Sequence, residues 1–341
     1  MPKDQIFDIE YINGYFGHDY YGNRAGSYRL PTRCLPDQGR RRGLSFGLSA
    51  VSLLDYRPKR ATLLQDRGIA VTGEREAFHT PIKATAYLTE ISSTDIFILC
   101  VKASDTAVVA AKLRDAIPPE SHLLTLQNGL GNIEKLSEFF GGNRILAGAT
   151  SHGATLLEVG RVRHAGYGEI WLGQANGTDS SQAGGALLQN LATTMNRAGL
   201  QAQVVDDIQP ILWSKLVVNV GINALTAILG VPNGELLKIP TCQTVLDGAV
   251  AEAVQVASGC GIQLQLPEEI ERVRAVCNST ATNISSMLQD VKRQKKTEID
   301  QINGAVVRMA ASLGMASPVN EVLTALVRGL EAGYKVEGGK P

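Results

Sequence analysis

Lys215, Asn219 and Asn223 stand four residues apart within the apolar stretch 213–228. On an α-helix they form one stripe, each about 40° further round than the last. An amine followed by two carboxamides on one face could hold a small polar ligand and offer it a proton. Leu216, Val217, Val220, Leu225 and Ile228 cover most of the remaining surface, and a helix apolar nearly all round belongs inside a protein. A lysine there is costly unless something pairs with it. Spacing alone also allows a plainer account, in which the amine extends to water and the asparagines serve nearby backbone groups.

Other polar groups lie where strands or helices end. Lys102 directly follows the apolar run Asp95–Val101; it could meet a phosphate or be a solvated lysine. Asn128-Gly-Leu-Gly131 follows the next apolar run, and its glycines either admit a ligand to backbone N–H groups or make a tight turn. Ser286 and Glu298 are twelve residues apart. On one straight helix that is about 18 Å, so both could be used only at different ends of a larger assembly. The intervening basic run 292–296 reads as a solvated face. Asp55 ends another apolar run, with Arg57, Lys59 and Arg60 just beyond. The acid would favour the free ribose of NAD, and the cations would favour the extra phosphate of NADP.

The elements that must position these groups alternate from residue 50 onwards. Strands are expected at 51–54, 69–72, 82–85, 95–101, 123–126 and 144–150, with helices at 61–65, 107–117 and 133–139 between them. Val162–Gly168 and Glu169–Gly173 suggest an antiparallel pair. A Gly/Ser-rich loop, a helix at 186–197 and a strand at 201–205 follow. This rhythm is that of an α/β doubly wound sheet, whose ligands sit at the carboxyl ends of its strands. Beyond Asp206 only helices are expected, at 208–229, 241–260, 267–276, 285–313 with breaks, and 320–334. The chain therefore divides into a Rossmann-like α/β domain over 1–206 and an all-α domain over 207–341.

Composition narrows the function. Lys plus Arg and Asp plus Glu are equal at 33 each, so no net charge draws nucleic acid or an acidic membrane. The five cysteines show no CxxC pairing and the five histidines are scattered, which predicts free thiols in a reducing compartment and no zinc site. No apolar signal segment opens the chain. A central Lys and two Asn mark the long apolar stretch as a buried helix rather than a membrane span. A cytoplasmic location is expected.

The run Phe97-Ile-Leu-Cys-Val-Lys-Ala-Ser-Asp-Thr106, Gln127-Asn-Gly-Leu-Gly-Asn132, Lys215 with Asn219 and Asn223, Ser285–Asp290 through Thr297-Glu-Ile-Asp300 and Asn303-Gly304, and Ser317-Pro-Val-Asn320 each resemble a motif of the 2-dehydropantoate 2-reductase (ketopantoate reductase) family. They occur in the family's order. The resemblance implies an NADPH-binding Rossmann domain joined to a helical domain, with the active site between them. It implies Lys215 as the general acid that protonates the alkoxide as hydride reaches the C2 carbonyl of ketopantoate. Asn219, Asn223 and Ser286 would hold the substrate. Lys102, Asn128 and Glu298 would contact the cofactor, Ala154 would lie near its nicotinamide end, and Arg57 would meet the NADP phosphate. The expected reaction belongs to pantothenate and coenzyme A synthesis, with a homodimer as a candidate assembly. Two alternatives stand beside it: a reductase of another 2-oxo acid, and a catalytically impaired paralogue lacking the glycine-rich phosphate loop.

That last alternative has a specific cause. The family opens with a strand and G-x-G-x-x-G, and this chain contains no such motif. Residues 1–48 are rich in Gly, Tyr and Arg, without a period of two or 3.6. Read one nucleotide later, Asn23–Arg29 permits Ile-Gly-x-Gly-x-Ile-Gly, and 30–47 permits a helix-like sequence. The stretch from about 20 to 48 is therefore expected to be an out-of-frame translation. The coding DNA decides this: codons that do not spell those glycines in the shifted frame end the idea.

Overall fold

The structure is a computed structural model that describes residues 51–73, 77–91, 95–175 and 182–337. The anomalous stretch 1–48 and Cys34 lie outside the described residues. In chain order the elements are β1 (Ser52–Leu54), α1 (Pro58–Arg67), β2 (Ile69–Gly73), β3 (Phe78–Thr80), β4 (Lys83–Thr85), β5 (Ile96–Leu99), α2 (Thr106–Arg114), β6 (His122–Thr125), α3 (Asn132–Phe140), β7 (Ile145–Thr150), β8 (Gly153–Glu158), β9 (Arg161–Gly166), β10 (Glu169–Gln174), α4 (Gln182–Arg197) and β11 (Gln201–Val204). The helices α5 (Gln209–Leu229), α6 (Pro240–Gly259), α7 (Leu266–Ser279), α8 (Ser286–Lys292), α9 (Asn303–Ser312) and α10 (Pro318–Glu337) follow. The α/β class with an all-α C-terminal part is as expected.

The sheet that carries the site has the order β11-β10-β7-β6-β5. β5, β6 and β7 run parallel, and β10 is antiparallel to β7. β6 is buried at every position, because its neighbours pair with both edges and helices cover both faces; that is why it reads as an unbroken apolar run. β1 pairs in parallel with β4 as a separate ribbon. Within the described residues β5 forms the edge of the five-stranded sheet.

One expected pairing is corrected. The segments at 162–168 and 169–173 are strands, but they do not pair with each other. β9 pairs antiparallel with β8 and parallel with β2, whereas β10 joins the main sheet. The Gly166-Tyr-Gly168 connection passes the chain from one sheet to the other instead of closing a hairpin. β8 and β3 were not expected: β3 spans only three residues, and Gly153–Glu158 lacks strand-like alternation. The helical stretch expected over 285–313, with breaks, is two helices separated by 293–302, which holds a short 3₁₀ turn at Ile299–Gln301.

α5 is the axis of the helical part. It begins with Pro210 in its first turn and ends at Gly230, whose left-handed backbone donates to the Thr226 carbonyl. α6, α7, α8 and α10 all pack on it. Gly221 allows this: a Cβ there would lie 3.0 Å from Val273 and 3.1 Å from Val250. Trp213, Leu216, Val217 and Val220 share one apolar core with Leu246, Val250, Val273 and Val327. α5 is long and apolar enough to cross a membrane, but this burial inside the helical part accounts for its composition. Cys100, Cys242, Cys260 and Cys277 are free thiols.

Candidate active site

A cavity of about 1000 Å³ opens where the carboxyl ends of β5, β6 and β7 face α5, α7 and α8. Leu126, Asn128 and Thr150 line its strand side, with Ala154 from β8. Lys215, Asn219, Ser286 and Glu298 line its helical side. Six of the residues expected from sequence therefore meet in one space.

Each is aimed by its surroundings. Lys215 and Asn219 lie one turn apart on α5, and both are half-buried. Ser285 caps α8 by accepting the Leu288 N–H at 3.1 Å, and its hydroxyl meets Thr226 of α5 at 2.7 Å. That double use fixes the start of α8 against α5 and leaves Ser286 facing the cavity. Glu298 follows the break after α8, where Gln294 takes a left-handed φ of 52°. The break replaces the straight helix, and Ser286 and Glu298 both line the one cavity.

Glu298 is 6 % exposed. Its carboxylate accepts the Ala103 N–H at 3.2 Å and the Asn128 amide at 3.4 Å. Burial pushes its pKa up; the Ala103 N–H, Lys102, the Asn128 amide and Lys215 oppose that shift. Desolvation pulls the Lys215 amine down to about 8, against the raising effect of Glu298. The result is an acid that is mostly protonated at neutral pH yet gives up its proton readily.

Three expected site residues do not reach the cavity wall. Asn223 is buried at 6 % exposure, one turn too far along α5. Lys102 is 7 % exposed and bridges the two halves of the molecule: its Nζ lies 2.7 Å from Asp290 Oδ1 and 2.9 Å from the Lys296 carbonyl. Arg57 lies beside the Tyr56 ring and donates its backbone N–H to Asp55.

The structure adds a group that sequence reasoning missed. Asn233 lines the cavity, and its Nδ2 donates to Thr280 Oγ1 at 2.9 Å. Its Oδ1 is buried with no hydrogen-bond partner among the described residues, a state that normally requires a ligand or water. In sequence it is a lone Asn in a Pro-Asn-Gly turn, with no periodicity to mark it. No cluster of three or more His, Cys, Asp or Glu side chains suited to a metal occurs among the described residues.

Comparison with known proteins identifies the family. Residues 43–177 match the model of ketopantoate reductase PanE/ApbA, and residues 207–331 match that of its C-terminal part. The 2-dehydropantoate 2-reductase of Halobacterium salinarum is 36% identical over 84% of this chain and 92% of that protein. This chain belongs to the ketopantoate reductase family. The enzyme of that name from Archaeoglobus fulgidus is 37% identical over 78% of this chain and 85% of its own length. Among solved structures, a PanE/ApbA family ketopantoate reductase from Ralstonia eutropha superposes with a TM-score of 0.73 at 27% identity, covering 82% and 90% of the two chains. A D-mandelate dehydrogenase with NADH and anilino(oxo)acetate superposes at 0.74 and 27%, covering 81% and 89%. The oxidoreductase class expected from the motifs therefore stands for this ketopantoate reductase relative.

Proposed function

We propose that the chain reduces the 2-oxo group of 2-dehydropantoate with NADPH, as a cytoplasmic step towards pantothenate and coenzyme A. The observation that carries the reading is Lys215, an amine drawn down to about 8 that faces Glu298 in a cavity with Asn219 and Ser286. The domain division at residue 206 belongs to the same reading, with the cavity between the two parts.

Ala154 and Asn128 are the residues that would hold a reduced nicotinamide, which when bound would supply the hydride for C2. Lys215 then donates a proton to the C2 oxygen, and its charge stabilises the oxyanion as it develops. Asn219 and Ser286 can donate to the carboxylate of a small oxo acid, and the unpaired Asn233 carbonyl can accept from its hydroxyl. The apolar packing behind α5 keeps the amine desolvated. The nicotinamide end of a dinucleotide fits the residues present, since the cavity is at the upper end of the usual range for ligand sites, about 300–1000 Å³. The glycine-rich phosphate loop that the family resemblance implies would fall within residues 1–48, outside the described residues.

Preference for NADP is supported at the end of β1. Asp55 is fully buried, 2.7 Å from the Arg60 guanidinium, and also accepts the Arg57 N–H. Both carboxylate oxygens are thus engaged within the protein, and the Arg57 guanidinium, 3.8 Å from Asp55 Oδ1, adds a second cation beside them that suits a phosphate.

The D-mandelate dehydrogenase likeness favours one second reading, a reductase of a different 2-oxo acid. Oxidation of NADPH and NADH at millimolar concentration, with ketopantoate against a panel of 2-oxo acids, separates the two. Ketopantoate with NADPH is expected to give the highest kcat/KM. Higher values for an aryl-substituted 2-oxo acid would install the second reading. A folded sample with no turnover on any of them would mark an impaired paralogue.

A further inference from the structure

Glu298 sits on a short irregular stretch, with no long helix of its own to aim it. What holds that stretch is α10. Near the end of α10, Glu331 Oε1 accepts the Thr297 backbone N–H at 2.7 Å and the Thr297 hydroxyl at 2.6 Å. One turn earlier, the Arg328 guanidinium donates twice to Asp300 Oδ1, at 2.9 and 2.6 Å. Glu298 lies between these two pegs. Thr297 is 1 % exposed, and its hydroxyl also accepts the Ile299 N–H at 3.2 Å, so the backbone on both sides of Glu298 is referred to one carboxylate.

α10 is itself fixed to α5. Glu252 of α6 accepts the N–H groups of Val319 and Asn320 at 2.8 and 2.9 Å at the start of α10. The Asn320 side-chain Oδ1 accepts from Asn303 Nδ2, which also donates to the backbone carbonyl of Val220 of α5, one residue past Asn219. α10 therefore carries the frame of the Lys215 helix to the segment that bears Glu298.

We propose that Glu331 is a positioning residue for the Lys215–Glu298 pair, holding Thr297 so that the next side chain enters the cavity opposite the amine. This rests on the reading of Lys215 as the acid. Other charged or titratable groups also face this cavity: His152 and Arg163 on the strand side, Glu268, Glu269 and Arg272 of α7, and Arg293 after α8. Lys102 pairs with Asp290 of α8, Glu269 accepts from Ser214, and α10 adds Arg328 and Tyr334. The Tyr334 phenol is pushed up by burial and by the charges of Glu331 and Asp290.

The test reads Lys215 directly in the full chain, by competitive acylation across pH with mass spectrometry of the Lys215 peptide, and needs neither cofactor nor substrate. The native midpoint is expected near 8. Releasing the segment in Glu331→Ala withdraws the Glu298 carboxylate, so the midpoint should fall by about half a unit or more. Glu331→Gln keeps an acceptor oxygen for Thr297 and should restore the native midpoint. A folded Glu331→Ala protein with an unmoved midpoint overturns the proposal, as does a Gln variant shifted as far as Ala, since charge alone would then be responsible. If the Ala variant does not fold, Glu331→Asp keeps the charge but withdraws it by one methylene, and an unmoved midpoint there is equally fatal. Absence of turnover in the native chain would sink the reductase reading and leave this result intact.

Discussion

The two walls of the cavity are built on different principles. On the helical side, Lys215 and Asn219 are fixed by one long helix packed on several neighbours. Ser286 is fixed by a cap shared with that helix. On the strand side, Asn128 and Ala154 come from the end of one sheet and the start of another, and β1 with β4 forms a third piece. The helical wall is specified by local spacing and an apolar core. The strand wall depends on separate elements meeting, and its phosphate loop has no counterpart in the sequence as written.

The largest effect should come from the wall that is complete. Lys215→Ala is expected to lower kcat about 10²–10⁴-fold while the protein remains folded, read by NADPH oxidation with ketopantoate. In the native enzyme the acid must be protonated for reduction and neutral for the reverse oxidation. With Lys215 held near 8, the reductive kcat should fall above about pH 8 and the oxidative kcat should rise there. A flat profile from pH 6 to 10 would remove Lys215 from the proton step.

The next test lies where the walls join. Lys102 and Asp290 are each 7 % exposed and 2.7 Å apart. Removing one buried partner should cost about 3–5 kcal/mol. Lys102→Met is expected to lose that much stability in urea denaturation, and Lys102→Met with Asp290→Leu should recover most of it. If the single variant instead keeps its stability and loses NADPH affinity, Lys102 is a cofactor ligand rather than a strut.

Which parts were readable follows from the same contrast. The alternation of apolar runs and helices was legible because β5, β6 and β7 are covered on both faces. Lys215 and Asn219 were legible because a helix turns sequence spacing into a shared face. Asn223 obeys the same spacing but falls outside the cavity, since each step of four drifts about 40°. The meeting of Ser286 and Glu298 was hidden by the break at Gln294, where nothing in Arg-Gln-Lys-Lys announces a positive φ. The pairing of β9 with β8 was hidden because Gly153–Glu158 lacks strand-like alternation. Lys102 sits at a strand end as expected, yet its partner is 188 residues away in sequence, a distance no local pattern spans.

The strand wall makes its own prediction. A chain carrying residues 1–48 as written should bind NADPH about 100-fold more weakly than a micromolar site, a difference of about 2.7 kcal/mol, because it lacks a glycine turn that presents the pyrophosphate to a helix N-terminus. Fluorescence titration measures this, and micromolar affinity would show that the phosphates are held by other means. The helical wall would be unaffected, so a high KM for NADPH with an ordinary kcat at saturation is the expected signature.

The smallest effect tests whether the walls touch as tightly as their hydrogen bonds imply. Gly129, with φ +79°, packs its α-carbon on the Gln301 carbonyl, so a Cβ there would collide with that oxygen. The next residue, Leu130, donates its N–H to the same carbonyl at 3.0 Å. Gly129→Ala must therefore both strain the backbone and push the 298–301 segment away from the strand end. The expected cost is about 1–3 kcal/mol of stability, seen as a lower urea midpoint. Because Asn128 and Glu298 lie on either side of that contact, the amide–carboxylate hydrogen bond should open as well. An Ala variant as stable as the native chain would mean that the two walls are not in firm contact there, and that the strand side yields without disturbing Glu298.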